Sequence, residues 1–134
     1  MPNSPVEQRN PHLGNPVRPW LKLRFLDAYD ATIEVALLAD TGCPFALILG
    51  QDLLDKLERM PGNIRHSNTG FLYGAWVRLV MPEFGFDHDV LAYGNQDVAS
   101  GVASDHPSFQ GLVGLPLLRL GEYGGNANEF WFRR

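Results

Sequence analysis

Short runs in which large apolar residues alternate with other residues are the feature of this sequence that most restricts its fold. In residues 21–25, and again in residues 33–37, every second side chain is large and apolar, and a turn-forming segment at 27–30 separates the two runs. A period of two places successive side chains on opposite faces of a strand. The two runs therefore predict an antiparallel hairpin with one buried face.

The rest of the chain repeats this pattern with few helical segments. Residues 71–80 and 86–93 are strand-like runs joined at 82–85, and residues 130–132 form a last short apolar run. The spacing of Leu53, Leu54, Leu57 and Met60 predicts one short helix that ends before Pro61-Gly62, and Pro116 is placed as the first residue of another. We expect residues 64–70 to form a polar, mobile approach to the second hairpin, and residues 95–108 to form a polar loop. The predicted class is all-β, mainly β with one or two short helices.

Length and composition indicate a single folded domain. The chain has 134 residues, of which 45% are hydrophobic and 19% charged, which is typical of a soluble globular protein. Residues 1–19 hold five of the ten prolines, so we predict a flexible or extended arm at 1–19 and one domain at 20–134. A net charge of -4 without a basic run argues against a nucleic-acid partner.

Cysteine content and hydropathy suggest a compartment. Cys43 is the single cysteine, which excludes an intrachain disulfide. The first residues do not read as a secretion signal, and no apolar run approaches the roughly 20 residues that a membrane-spanning helix needs. We therefore expect a cytoplasmic protein without a membrane partner.

The segment Asp40-Thr41-Gly42 is the strongest candidate for chemistry. It lies between an apolar strand that ends at residues 37–39 and a new apolar run at 45–49, where an acid is unusual. A threonine hydroxyl can fix a neighbouring backbone group, and a glycine lets its own N–H approach a carboxylate closely. Taken alone the tripeptide is a weak signal, because Asp-Thr-Gly also suits an ordinary turn.

The order of segments around this tripeptide resembles that of retropepsin-like aspartic proteases. Residues 33–49 are similar to the active-site segment of that family, and Leu112-Val113-Gly114 with the apolar residues 115–120 is similar to the segment that packs near its active-site loop. Between them, residues 67–80 correspond to the flap hairpin, and residues 130–132 correspond to the terminal strand. The resemblance covers roughly residues 20–134.

This resemblance implies a closed β-barrel of the acid protease fold, a homodimer, and no cofactor or metal. Two Asp40 carboxylates, one from each chain, would activate a water that hydrolyses an extended peptide or protein substrate. Asp40, Thr41 and Gly42 are the implied catalytic residues. The implied flap residues that contact substrate are Gly70, Phe71, Leu72, Tyr73 and Gly74.

Departures from the family pattern keep an alternative open. Cys43-Pro44 stands where many members have alanine or serine after the glycine, and Leu115-Pro116 stands where a polar or basic residue and then Asp or Asn are common. The alternative is a catalytically inactive dimeric module of the same fold that binds peptides or proteins.

Other candidates have weaker patterns. Asp87-His88-Asp89 has the composition of a metal site, but on a strand His88 points away from both acids. A second alternative is that Cys43 is a nucleophile, with His66 or His88 as its base. The competing interpretation is that Cys43 is a small buried residue. A serine nucleophile lacks the Gly-x-Ser-x-Gly elbow.

Overall fold

The computed structural model describes residues 5–67 and 70–134. Two residues of the predicted flap, Asn68 and Thr69, lie outside the described residues. The strands are β1 (Glu7–Pro11), β2 (Trp20–Leu26), β3 (Thr32–Asp40), β4 (Leu47–Leu49), β5 (Met60–Ser67), β6 (Gly70–Met81), β7 (Phe86–Gly94), β8 (Phe109–Gly114), β9 (Glu122–Gly125) and β10 (Glu129–Arg133). The helices are α1 (Gln51–Leu57), α2 (Gln96–Asp105) and α3 (Leu115–Leu118), and a short 3-10 helix covers Pro82–Phe84.

Six strands close into a barrel. They follow the order β2-β3-β8-β4-β7-β6, and β6 returns to pair with β2. The pairs β3–β8 and β4–β7 are parallel, and the other neighbours in the barrel are antiparallel. β5 is added to the outer side of β6 as a seventh strand. The prediction of a mostly β protein with a closed barrel is confirmed.

The alternating runs form the inward faces of this barrel. β2 and β3 pair from Trp20 with Leu38 to Leu26 with Thr32, which confirms the first predicted hairpin. The side chains of Leu21, Phe25 and Leu37 are almost completely buried. Burial of such side chains contributes about 1.5–3 kcal/mol each, so the residues that produce the period of two also stabilise the fold.

The second predicted hairpin is confirmed as β6 and β7. Their register runs from Tyr73 opposite Gly94 to Met81 opposite Phe86. The turn between them is the 3-10 helix, which ends at Gly85 with a φ of 74°. Since this φ lies in the left-handed region, glycine suits the position.

A separate three-stranded sheet joins the two ends of the chain in the order β1-β10-β9. β1 lies within the predicted arm, in an extended conformation. Gln8 fastens it to the barrel, because its side-chain amide accepts a hydrogen bond from the Lys22 N–H (2.7 Å) and donates one to the Lys22 carbonyl (2.9 Å). The division between arm and domain at residue 20 stays a prediction. The last strand, predicted at 130–132, is confirmed as β10.

Two predictions of local structure were wrong. Residues 95–108 are not a loop, because most of them form α2, whose N-cap Asn95 accepts a hydrogen bond from the Val98 N–H (3.1 Å). Of the predicted mobile approach at 64–70, residues 64–67 form the end of β5. Met60 begins that strand instead of ending the helix, which stops at Leu57. In the part of the chain that the structure describes, no helix is long and apolar enough to cross a membrane.

Candidate functional site

Asp40 is the last residue of β3, at the point where the barrel strands β3 and β8 run side by side. Its register partner on β8 is Gly114, and Ala39 before it is buried. The Asp40 side chain is half-buried, whereas Thr41 and Gly42 are exposed. The fold thus presents an acid at the end of a central strand, with the following loop accessible to a substrate or to a second chain.

The backbone of the loop holds this carboxylate in place. The Gly42 N–H donates a hydrogen bond to Asp40 Oδ1 at 2.9 Å, and the Cys43 N–H donates one to the Asp40 carbonyl at 3.1 Å. A Cβ added at Gly42 would lie 3.2 Å from Asp40 Oδ1, so the glycine allows the close approach. This is the close N–H approach that the sequence suggested for Gly42.

Backbone hydrogen bonds from the start of α3 stabilise the same loop. The Gly114 N–H donates to the Ala46 carbonyl at 2.9 Å, and the Leu115 N–H donates to the Cys43 carbonyl at 3.1 Å. A Cβ at Gly114 would lie 1.9 Å from the Phe45 carbonyl oxygen, which leaves room for glycine alone. The prediction that Leu112-Val113-Gly114 packs near the loop that follows Asp40 is therefore confirmed. The change to Leu115-Pro116 leaves these backbone contacts in place.

Cys43 is part of the support of the loop. Its side chain is buried, with 5% exposed, and its thiol donates a hydrogen bond to the Phe45 carbonyl at 3.4 Å. Burial is the main cause of a raised pKa of the Cys43 thiol, and the nearby Asp40 carboxylate raises that pKa further. A buried, protonated thiol is a poor nucleophile, which favours the structural reading of this residue.

A recess lies beside Asp40, and most of its lining comes from segments that the sequence analysis did not predict to be near the site. α2 supplies one wall, and Arg18 from the predicted arm lies at the rim, where its Nε is 3.2 Å from Asp105 Oδ2. The residues that line the recess are Arg18, Leu38, Asp40, Val98, Gly101, Val102, Asp105 and Leu112. The signal for α2 was Asn95 as an N-cap, followed by Val98 and Val102 four residues apart.

The predicted flap residues lie in β6, on the hairpin that β5 and β6 form. Phe71 and Tyr73 are 55% and 52% exposed, whereas Leu72 between them is buried. Phe71 and Tyr73 line a different recess from that of Asp40, together with Gly94 and the first residues of α2. The two recesses share α2 as a neighbour but no lining residue. The roles of Gly70, Phe71, Leu72, Tyr73 and Gly74 in binding a substrate stay predictions.

The remaining polar candidates have structural partners. Asp87 and Asp89 lie on one face of β7 and both pair with Arg78, at 3.0 Å and 3.5 Å, while His88 packs against Phe86. His66 packs against Phe71, with 4.4 Å between the ring centroids. Among residues 5–67 and 70–134, no three His, Cys, Asp or Glu side chains are grouped so that they could hold a metal ion.

One solved structure is similar to this fold over nearly its full length. It is the crystal structure of a retropepsin-like aspartic protease from Rickettsia conorii, with a TM-score of 0.53 and 12% sequence identity over 95% of this chain and 98% of that chain. Neither a family model nor a curated protein matches the sequence. At this identity the similarity concerns the fold, and the chain therefore has the retropepsin-like fold that its segment order predicted.

Proposed function

We propose that this chain is an aspartic endopeptidase whose active site forms between two copies of the chain. The observation that carries this proposal is the position of Asp40. It ends a central strand of a retropepsin-like barrel, its carboxylate accepts a hydrogen bond from Gly42, and its loop rests on Gly114. This combination of fold and fixed carboxylate favours peptide hydrolysis over other reactions.

The need for a second copy follows from the chemistry. Hydrolysis of this type uses one carboxylate as a base toward water and a second group as an acid toward the peptide carbonyl. The sequence has one Asp-Thr-Gly segment, so the second acid comes from a partner chain. Two-fold symmetry brings the same segment of both chains to the axis, and Thr41 and Gly42 then lie in the contact.

The proposed mechanism follows from two adjacent carboxylates. Two like charges at close range do not both ionise readily, so the pair shares one proton. The ionised Asp40 accepts a proton from the bound water as its oxygen attacks the peptide carbonyl, and the protonated Asp40 donates its proton to the carbonyl oxygen. Collapse of the tetrahedral intermediate then breaks the C–N bond. The Asp40 that took the water's proton gives it to the leaving nitrogen, and the other Asp40 takes back a proton from one hydroxyl of the intermediate. An extended peptide, bound as a strand beside the β5–β6 hairpin, suits this site.

Cleavage of an unstructured protein tests the catalytic part of this proposal. Asp40→Asn keeps the size of the side chain and an oxygen that can accept the Gly42 hydrogen bond, so the fold should be retained. We expect the variant to lose activity by about 10²–10⁴-fold, the usual contribution of acid–base catalysis. Circular dichroism and thermal unfolding check that the variant is folded. Wild-type protein that binds peptides without cleaving them would instead favour the inactive binding module.

Mixing experiments test the shared site. With free exchange of subunits, a tenfold excess of Asp40→Asn chains leaves most wild-type chains paired with a mutant, so activity per wild-type chain should fall by roughly tenfold. Dilution below the dissociation constant of the dimer should also reduce specific activity. Activity that survives both treatments would mean that one chain is sufficient.

A further inference from the structure

Tyr93 occupies an unusual position on the barrel wall, where three strands lie side by side. It stands opposite Gly74 on β6, and β6 in turn pairs with β5. The ring of Tyr93 passes over Gly74, since a Cβ at Gly74 would lie 3.1 Å from the Tyr93 ring. An aromatic side chain that covers a glycine on the neighbouring strand is a known means of fixing strand register. The packing therefore supplies a steric reason for Gly74.

Beyond Gly74, the hydroxyl of Tyr93 reaches the next strand. It donates a hydrogen bond of 2.8 Å to Oδ1 of Asn63 on β5. Asn63 lies at an irregularity in β5, because the register with β6 shifts between Pro61 and Ile64. One side chain on β7 therefore contacts β5 at the point where the pairing of the β5–β6 hairpin is interrupted.

The other contact of Tyr93 is with the active-site loop. Its ring lies 4.9 Å from that of Phe45, and the guanidinium of Arg65 on β5 lies 5.8 Å from the same Phe45 ring. Phe45 follows Asp40 by five residues. Its carbonyl oxygen packs closely against Gly114 and accepts a hydrogen bond from the Cys43 thiol. Tyr93 itself is buried, with 3% exposed, whereas Asn63 and Arg65 are exposed.

We propose that Tyr93 is a positioning residue that fixes the β5–β6 hairpin relative to the Asp40 loop. Its ring packs against Phe45 of the loop, and its hydroxyl holds Asn63 of the hairpin. The consequence for catalysis depends on the proposed function, whereas the mechanical link between hairpin and loop does not. Tyr93 acts on peptide binding through the hairpin and does not touch the reacting atoms.

The variant Tyr93→Phe isolates the hydroxyl, because it keeps the ring that packs on Phe45. A single neutral hydrogen bond contributes enough to change a binding constant by about two- to tenfold. If the hairpin stabilises the bound peptide by the same amount in the ground state and in the transition state, a looser hairpin raises KM and leaves kcat nearly unchanged. We expect KM to rise by about two- to tenfold, with an unaltered pH profile because the Asp40 pair is untouched.

Two further variants complete the kinetic experiment. Asn63→Ala removes the acceptor and should reproduce the rise in KM, and the double variant should add little to either single change, since both remove one interaction. Tyr29→Phe is the matched control, because Tyr29 is 92% exposed at the turn between β2 and β3. A lower kcat with unchanged KM in Tyr93→Phe would indicate a smaller folded fraction, and would overturn the positioning role. Unchanged kinetics would overturn it as well.

Hydrogen exchange tests the same link without catalysis. In Tyr93→Phe the amides of β5 should exchange about two- to tenfold faster than in wild type, while those of β2 and β3 keep their rates. The Tyr29→Phe control should leave β5 unchanged. If β5 keeps its wild-type rates, the link is refuted whatever the enzyme does. If β5 loosens but wild type cleaves no peptide, the link stands and the endopeptidase proposal fails.

Discussion

Gly114 gives the sharpest test of how the loop that follows Asp40 is supported. Its backbone is extended, with φ -104° and ψ -179°, so alanine meets no conformational penalty there. The obstacle is space, since the new Cβ would lie 1.9 Å from the Phe45 carbonyl oxygen and 2.8 Å from that of Cys43. Ordinary contacts of a Cβ begin above 3.0 Å, so the loop must move by roughly 1 Å.

The cost of Gly114→Ala can be estimated from these contacts. Overpacking of this kind costs about 1–3 kcal/mol, and displacement of the loop endangers the hydrogen bond from Gly114 to Ala46, worth about 1 kcal/mol. We expect the free energy of unfolding to fall by about 3 kcal/mol, which for a chain of this size lowers Tm by roughly 10 °C. The proposed peptidase activity should also weaken, because the displaced loop follows Asp40 directly.

Gly101→Ala is the matched control for this substitution. Gly101 lies in α2, and a Cβ there would meet nothing within 4 Å. Alanine in a helix is more favourable than glycine by about 0.5–1 kcal/mol, so this variant should unfold at a slightly higher temperature. Thermal and urea unfolding followed by circular dichroism measure both changes. Equal stability of the two variants would refute the steric account of Gly114.

Further predictions concern the cap of α2, the thiol and the acid pair. Asn95→Ala should lower the free energy of unfolding by about 1 kcal/mol, measured by urea titration, because the Val98 N–H loses its acceptor. Since burial raises the pKa of Cys43, iodoacetamide should label the folded protein slowly at neutral pH and faster as the pH rises; rapid neutral labelling would show an exposed thiol. Peroxide should accordingly inhibit wild type and Cys43→Ala to the same extent. Activity should fall on the alkaline side, where the proposed Asp40 pair loses its shared proton, and a rate that keeps rising at high pH would argue against the pair.

The parts of the fold that could be predicted are those in which burial alternates with the sequence. The runs at 21–25 and 33–37 have one face in the core, so their period of two is visible in the sequence. The loop at Asp40 was recognisable because an acid and a glycine interrupt an apolar segment. Its support by Gly114 was expected from the order of segments and not from any local pattern.

The parts that could not be predicted obtain their structure from distant contacts. β5 contains Pro61, Gly62 and exposed apolar residues such as Met60 and Ile64. Its sequence therefore has no alternating pattern that would predict a buried face. It becomes a strand because β6 offers a free edge to pair with. α2 buries Ala99 and Val102 among small and polar residues, which gives too narrow an apolar stripe to stand out. The recess beside Asp40 depends on this helix and was missed with it.

The barrel closes through a short seam between β2 and β6. These strands share two register pairs, Phe25 with Leu79 and Leu26 with Arg78. With so few backbone pairs, closure depends on side chains, and Phe25 and Leu79 are both fully buried there. Loss of that packing opens the barrel along the seam and frees two strand edges, each able to pair with another molecule. We therefore expect truncation of the Phe25 side chain to cause self-association, with loss of the protein to aggregates and not merely to a soluble unfolded state.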